Sequence, residues 1–299
     1  MIFRNNSGCS GCDGGAVFIT DGAAPVFEDC LFENNQTDLS GAGVFSLASS
    51  PVFHNSIFVN NGSAGNQGGA VWLSGGSSLF LGCTFAGNAA NIGSAIGSSN
   101  DATTIIGSIF TGNVSSSPNT GGTLYFSFSR PRLVANSVVV GNRSNRGGGI
   151  VLAATGTSDF QVVNTTIGFN EAQIEGGGIY SKDFGSPFTE ARFENVIVWG
   201  NTAPEGANIF WDDFDSGPPE VTRSIVGGGY EWGTDILDED PLFVRNPDPG
   251  PDMTWGTEDD DYGDLRLRSG SPGIDYGLEA FLPADTWDLD GDGNTTEPL

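Results

Sequence analysis

The chain has 299 residues, with 37 acidic groups against 11 basic ones, 46 glycines, 37% hydrophobic residues and a formal charge of −26. So negative a charge repels phosphate backbones and argues against a nucleic-acid partner. No run of about 18 apolar residues exists to span a membrane, and the apolar share is too high and too evenly spread for a disordered acidic chain. Gly stands at about twice its usual share, which favours one repetitive unit over two ordinary domains. Charge is uneven too. From Glu231 onward lie 19 of the 37 acidic residues. A Gly/Asn/Ser-rich body, 1–230, therefore precedes an acidic Asp/Gly/Pro-rich cap or tail, 231–299.

The chain opens on Phe3-x-x-Asn6, and an apolar residue three before an asparagine then recurs along the body. The apolar members are Phe3, Phe32, Phe58, Phe85, Phe110, Val139, Ile167 and Val198. Their asparagines are Asn6, Asn35, Asn61, Asn88, Asn113, Asn142, Asn170 and Asn201, spaced 25 to 31 residues apart. Five residues before each later anchor stands a second apolar group, beginning with Phe27, Phe53 and Phe80. After each asparagine and a variable loop comes a third block, as in Gly14-Gly15-Ala16-Val17 and Gly68-Gly69-Ala70-Val71. These short β-branched and aromatic runs, broken by Gly, Asn and Ser, predict strands; no sustained i, i+3, i+4 periodicity predicts a helix. Units of this size cannot bury a core alone and must stack on their neighbours. The fold expected is all-β: a right-handed single-stranded parallel β-helix of about 8–9 coils with an acidic, loop-rich C-terminal segment. At a spacing of about 4.8 Å the eight asparagines are placed to form an amide ladder, and the glycines mark corners.

The paired signals Gly-Gly-Ala-Val and Phe-x-x-Asn resemble the repeats of the polymorphic outer-membrane protein family and, more widely, the pectin-lyase-like β-helix superfamily. Asp240-Pro241-Leu242-Phe243, Tyr262-Gly263-Asp264-Leu265-Arg266-Leu267 and Gly270-Ser271-Pro272-Gly273-Ile274-Asp275 resemble the closing region of secreted bacterial β-helix proteins that carry a surface anchor downstream. The resemblance implies an extracellular or cell-surface bacterial protein, although no signal peptide is visible at the N-terminus. Phe3 is already in phase with the repeat, and the sequence stops within an acidic motif, so both ends read as cut. The superfamily includes lyases, hydrolases, adhesins and surface proteins; the resemblance is specific for fold and not for activity.

Lyases of this superfamily need a basic residue as base, often with calcium; the hydrolases need clustered aspartates with a nearby His and Lys. This chain offers one His and one Lys. His54 follows the inward Phe53 and should point outward, in a column with Glu28, Leu81, Ile106, Ala135 and Val163, an ordinary surface position. Lys182, beside Asp183, reads as a solvated strand end. The best catalytic alternative is Asp212, Asp213 and Asp215, whose alternation suits an acid/base pair or a cation. Yet Ser216-Gly217-Pro218-Pro219 marks a turn, where Asp is favoured for local hydrogen bonds.

In the strand after each glycine pair, the residue following the inward apolar one points outward. That row reads Phe18, Phe45, Trp72, Gly97, Tyr125, Val151, Tyr180 and Phe210. Exposed, its six rings would form a stacking platform for sugars. Covered by the tail or a loop they would not, and a bulge that reversed parity would send them into the core.

In the tail, Asp288, Asp290, Asp292 and Asn294 match the opening of a calcium loop, with Gly293 at the sharp turn, but Leu299 stands where the loop's closing Glu would fall. The alternatives are an Asp-rich calcium turn and a plain solvated one. Glu258 to Asp261 form a second, weaker cluster. Cys30 and Cys83 share a small-residue column two coils apart, near 9.6 Å and beyond disulfide reach; Cys9 and Cys12 can bridge each other in an oxidising setting. The expected function is a secreted or cell-surface module for adhesion, structure or glycan binding, its partner a polysaccharide, cell-surface glycan or surface protein. The alternative is a polysaccharide lyase or glycoside hydrolase.

Overall fold

The computed structural model describes residues 1–64, 66–127, 132–153, 159–182, 191–212, 217–287 and 293–299. A three-residue strand sends its middle side chain to one face and its neighbours to the other, and here that middle residue is repeatedly Phe, Ile or Val. Stacking such strands in register gives a right-handed, all-β parallel solenoid built from three sheets. The first sheet has eight strands, running from Val17–Ile19 and Val44–Leu47 to Ile179–Lys182 and Ile209–Asp212. In the second, most coils supply two strands around a bend, as Val52–His54 and Ile57–Val59 do. Six short strands, from Gln36–Thr37 to Glu171–Glu175, make the third. The solenoid completes roughly 7 turns, in keeping with the eight strands stacked in its first sheet. At its C-terminal end Glu220–Val226 runs through both halves of the second sheet, and among the described residues no later strand joins the first or third.

The core is a set of vertical stacks. Phe3, Phe32, Phe58, Phe85 and Phe110 lie ring on ring with centroids 4.6–4.8 Å apart. Phe27, Phe53 and Phe80 form a second stack at 4.9 Å and meet the first edge-to-face. Each fully buried Phe contributes about 2–3 kcal/mol by burial alone, and each aromatic pair about 0.5–1.5 more. Between the two half-strands the chain turns on one left-handed residue, such as Asn55 at φ 47° or Asn136 at 49°. Asn and Asp tolerate this region because a short polar side chain bonds locally. The next position is small: Cys83 N–H donates to Ser108 Oγ at 3.1 Å, and Ser108 N–H to Ser137 Oγ at 3.1 Å.

Asparagine lines the following corner. From Asn6 to Asn170 each Nδ2 donates to Oδ1 of the asparagine one coil on, and Asn201 continues the ladder, all at 2.8–3.0 Å. The last acceptor is Asn208, from the strand side of the same coil, whose Nδ2 donates to the Gly227 carbonyl at 2.6 Å.

The parallel stacking runs past residue 230, since Thr234–Leu237 pairs with Glu220–Val226. Phe243–Arg245 then pairs antiparallel with Asp264–Leu267, and the acidic segment returns along the outside of the solenoid as a strap. Trp255 and Tyr262, stacked at 5.8 Å, lie over Gly141. A Cβ there would stand 2.8 Å from the indole, and φ is +62°, so the position suits only glycine. Farther along, Phe281, Leu282, Trp287 and Leu299 cover the outward-facing Leu81, Ile106, Ala135 and Val163. Asn195 fixes the strap between these contacts: its amide donates to the Leu278 carbonyl and accepts from the Leu278 N–H, both at 2.9 Å.

Candidate functional site

A groove of about 400 Å³ lies over the third sheet. Four consecutive coils build it through Gln36–Thr37, Gly62–Ser63, Ala89–Ala90 and Val114–Ser115. Gly62, Ala89 and Val114 stand in one registered column, whose next member is Arg143. Beside Val114 the strap comes close, Gly256 packing against both Val114 and Gly112. The groove therefore runs along the solenoid axis and ends near the fourth of these strands.

Its surface is more apolar than polar, Ala64, Ala89, Ala90 and Val114 lying among the polar Gln36, Thr37, Asp38, Ser63 and Ser116. Thr37 and Ser116 are already engaged, Thr37 Oγ1 donating to the Cys12 carbonyl at 2.5 Å and Ser116 Oγ to Asn91 Oδ1 at 2.8 Å. The Thr37 contact fixes the Cys9–Cys12 loop, closed by a disulfide, against the groove. Gln36 and Asp38, both exposed, make no side-chain hydrogen bond among the described residues. Asp38 is the one ionisable side chain among the described lining residues.

The aromatic row lies outside the main core, so strand parity holds and the rings do not fill the interior. Neither is it an open platform. Phe18 is 50% exposed, Tyr125 and Phe210 are half-buried, and Phe45, Trp72 and Tyr180 are buried. The rings cover one another: Phe18 stacks on Phe45 at 5.3 Å, Trp72 on Tyr125 at 6.4 Å and Tyr180 on Phe210 at 5.7 Å. Trp72 leans into the space that Gly97 leaves in the row. Glycine corners close the other side, Gly68 lying against the Cβ of Trp72 and Gly176 against that of Tyr180. The strap covers a different face, the Leu81 column.

Asp212 is half-buried and in register with Lys182. Burial pushes the Tyr180 hydroxyl up to about 12, helped by the charges of Glu175 and Asp212. Asp213 and Asp215 lie outside the described residues, as do Asp288, Asp290 and Asp292; Asn294 is exposed. Among the described residues no group of three or more His, Cys, Asp or Glu side chains could hold a metal ion. His54 is half-buried, 3.8 Å from Glu28. Cys30 and Cys83 are free and buried, and burial pushes the Cys83 thiol up to about 12.

Sequence patterning missed one buried polar cluster. Asp101 is fully buried and accepts from Ser78 N–H at 3.1 Å, Ser78 Oγ at 3.2 Å and Thr103 Oγ1 at 2.9 Å. Burial raises its carboxyl above the usual range, and these hydrogen bonds oppose the rise. Nearby Arg132, also buried, donates to the Ser127 carbonyl at 2.6 Å and lies 5.6 Å from the Phe126 ring centre. Burial brings its guanidinium down to about 10, still protonated at neutral pH. These groups hold the bend after the first sheet, and Arg132 also lines a small open hollow with Thr104, Asp159 and Gln161.

No family model matches the chain, and neither does any curated protein or solved structure. Among the described residues no helix is long and apolar enough to cross a membrane.

Proposed function

We propose that the chain is a non-catalytic solenoid module of an extracellular or bacterial cell-surface protein that holds glycan chains. The groove over the third sheet carries this reading. It is open, spans several coils and sets a few polar side chains on a largely apolar surface, which suits an extended polymer laid along the axis. Glycosidic cleavage needs two ionisable groups poised on either side of one bond, and the groove's described lining offers Asp38 alone. The Cys9–Cys12 disulfide in an exposed loop supports an oxidising compartment. Calcium belongs to the same reading, with Asp288, Asp290, Asp292 and Asn294 as its ligands near the end of the strap.

The test is incubation with a panel of neutral and acidic polysaccharides, followed by co-sedimentation and assays for new reducing or unsaturated ends. Retention without new ends is expected. Turnover that disappears in Asp212→Ala would instead establish the lyase or hydrolase reading.

A further inference from the structure

Resting on that glycan-binding reading, we infer that the groove selects an uncharged polysaccharide and that Gln36 and Asp38 read its hydroxyl groups. Most polar atoms at the groove are engaged within the protein: Ser63 Oγ donates to the Leu39 carbonyl, and Thr37 and Ser116 are bonded as described. The Gln36 amide and the Asp38 carboxylate remain open, on adjacent positions of the groove wall. An amide that both donates and accepts, beside a carboxylate that accepts twice, matches neighbouring sugar hydroxyls.

Charge excludes the acidic alternative. A polyuronate would bring a carboxylate with every sugar against Asp38, on a molecule of net charge −26. The nearest cations in this sheet, Arg143 and Arg146, stand one coil farther on, in register with Glu171 and Glu175. Arg146 bonds Glu175 at 2.7 Å. Arg143 lies outside the groove's lining, so Asp38 sets the charge there.

Calorimetric titration of the intact chain with a neutral glucan or xylan oligosaccharide, and with a galacturonate oligosaccharide of equal length, tests this at low and high salt. The neutral ligand should bind with an affinity nearly independent of salt, and the galacturonate at least about tenfold more weakly. Gln36→Ala and Asp38→Ala should each weaken neutral binding about tenfold, the loss expected for one good hydrogen-bonding partner. Both side chains are exposed, so the variants keep the fold. Galacturonate binding as tight as neutral binding would overturn the selectivity while leaving glycan binding intact. Neutral binding unchanged in both variants would overturn the placement in this groove. No binding by any oligosaccharide would remove the glycan reading itself.

Discussion

Asn113 uses its whole hydrogen-bonding capacity. Its Oδ1 accepts from the Asn88 N–H and Nδ2 at 3.0 Å, and its Nδ2 donates to Asn142 Oδ1 and to the Phe85 carbonyl. All of this is buried, so an alanine there would leave polar groups of the neighbouring coils without this partner. Asn113→Ala should therefore cost about 2–4 kcal/mol, read as a lower urea midpoint. Asn6 sits exposed at the first coil and donates in one direction only. Asn6→Ala should cost less than about 1 kcal/mol. Equal losses at the two positions would mean that the amides do not act through a buried ladder. The same column explains why the fold is so readable in the sequence. No residue other than Asn donates and accepts with this geometry at a corner, so the position repeats without substitution.

At the scale of the element, the strand stacks were legible and the strap was not. An inward column must stay apolar in every coil, so Phe32, Phe58, Phe85 and Phe110 announce themselves by spacing. The strap leaves a subtler trace. The outward column Leu81, Ile106, Ala135 and Val163 is apolar between the polar His54 and Glu194, and it is these four that the strap covers. The left-handed corner changes likewise from Asn5, Asn34 and Asn60 to Gly112 and Gly141, where Tyr262 and Trp255 dock. Pattern reading took the apolar outward column for surface, because alternation tells which way a residue points but not what lies against it. Trp255→Ala removes the largest ring in this docking and should cost about 3–5 kcal/mol of strap attachment. Hydrogen exchange should then quicken in the strap and around 112–141, with protection of the first sheet unchanged. Faster exchange throughout the solenoid would show that the strap is part of one cooperative unit with the coils.

Over the whole molecule, function is harder to read than fold because the groove is assembled from two-residue pieces of four coils. In the sequence Gly62-Ser63-Ala64 and Ala89-Ala90 look like loop, and only stacking turns them into a continuous surface. The charge is likewise a property of placement: half the acidic residues lie in the last 69 positions, on or beyond the strap. Confining them to one segment folded back on the solenoid raises the repulsion opposing its attachment. Two kinds of cation effect are then separable. Screening depends on ionic strength alone, so sodium chloride and calcium chloride at equal ionic strength would raise the melting temperature alike. A bound calcium acts by mass action and stabilises at concentrations too low to change the Debye length. On the proposal that Asp288, Asp290, Asp292 and Asn294 hold calcium, trace calcium should raise the melting temperature, chelator should reverse the gain, and Asp290→Asn should abolish it. Because Trp287 and Leu299 flank this stretch and both pack on the Leu81 column, the gain should appear as slower exchange in the strap. A melting temperature that follows ionic strength alone, whatever the cation, would reduce the acidic turn to a solvated one.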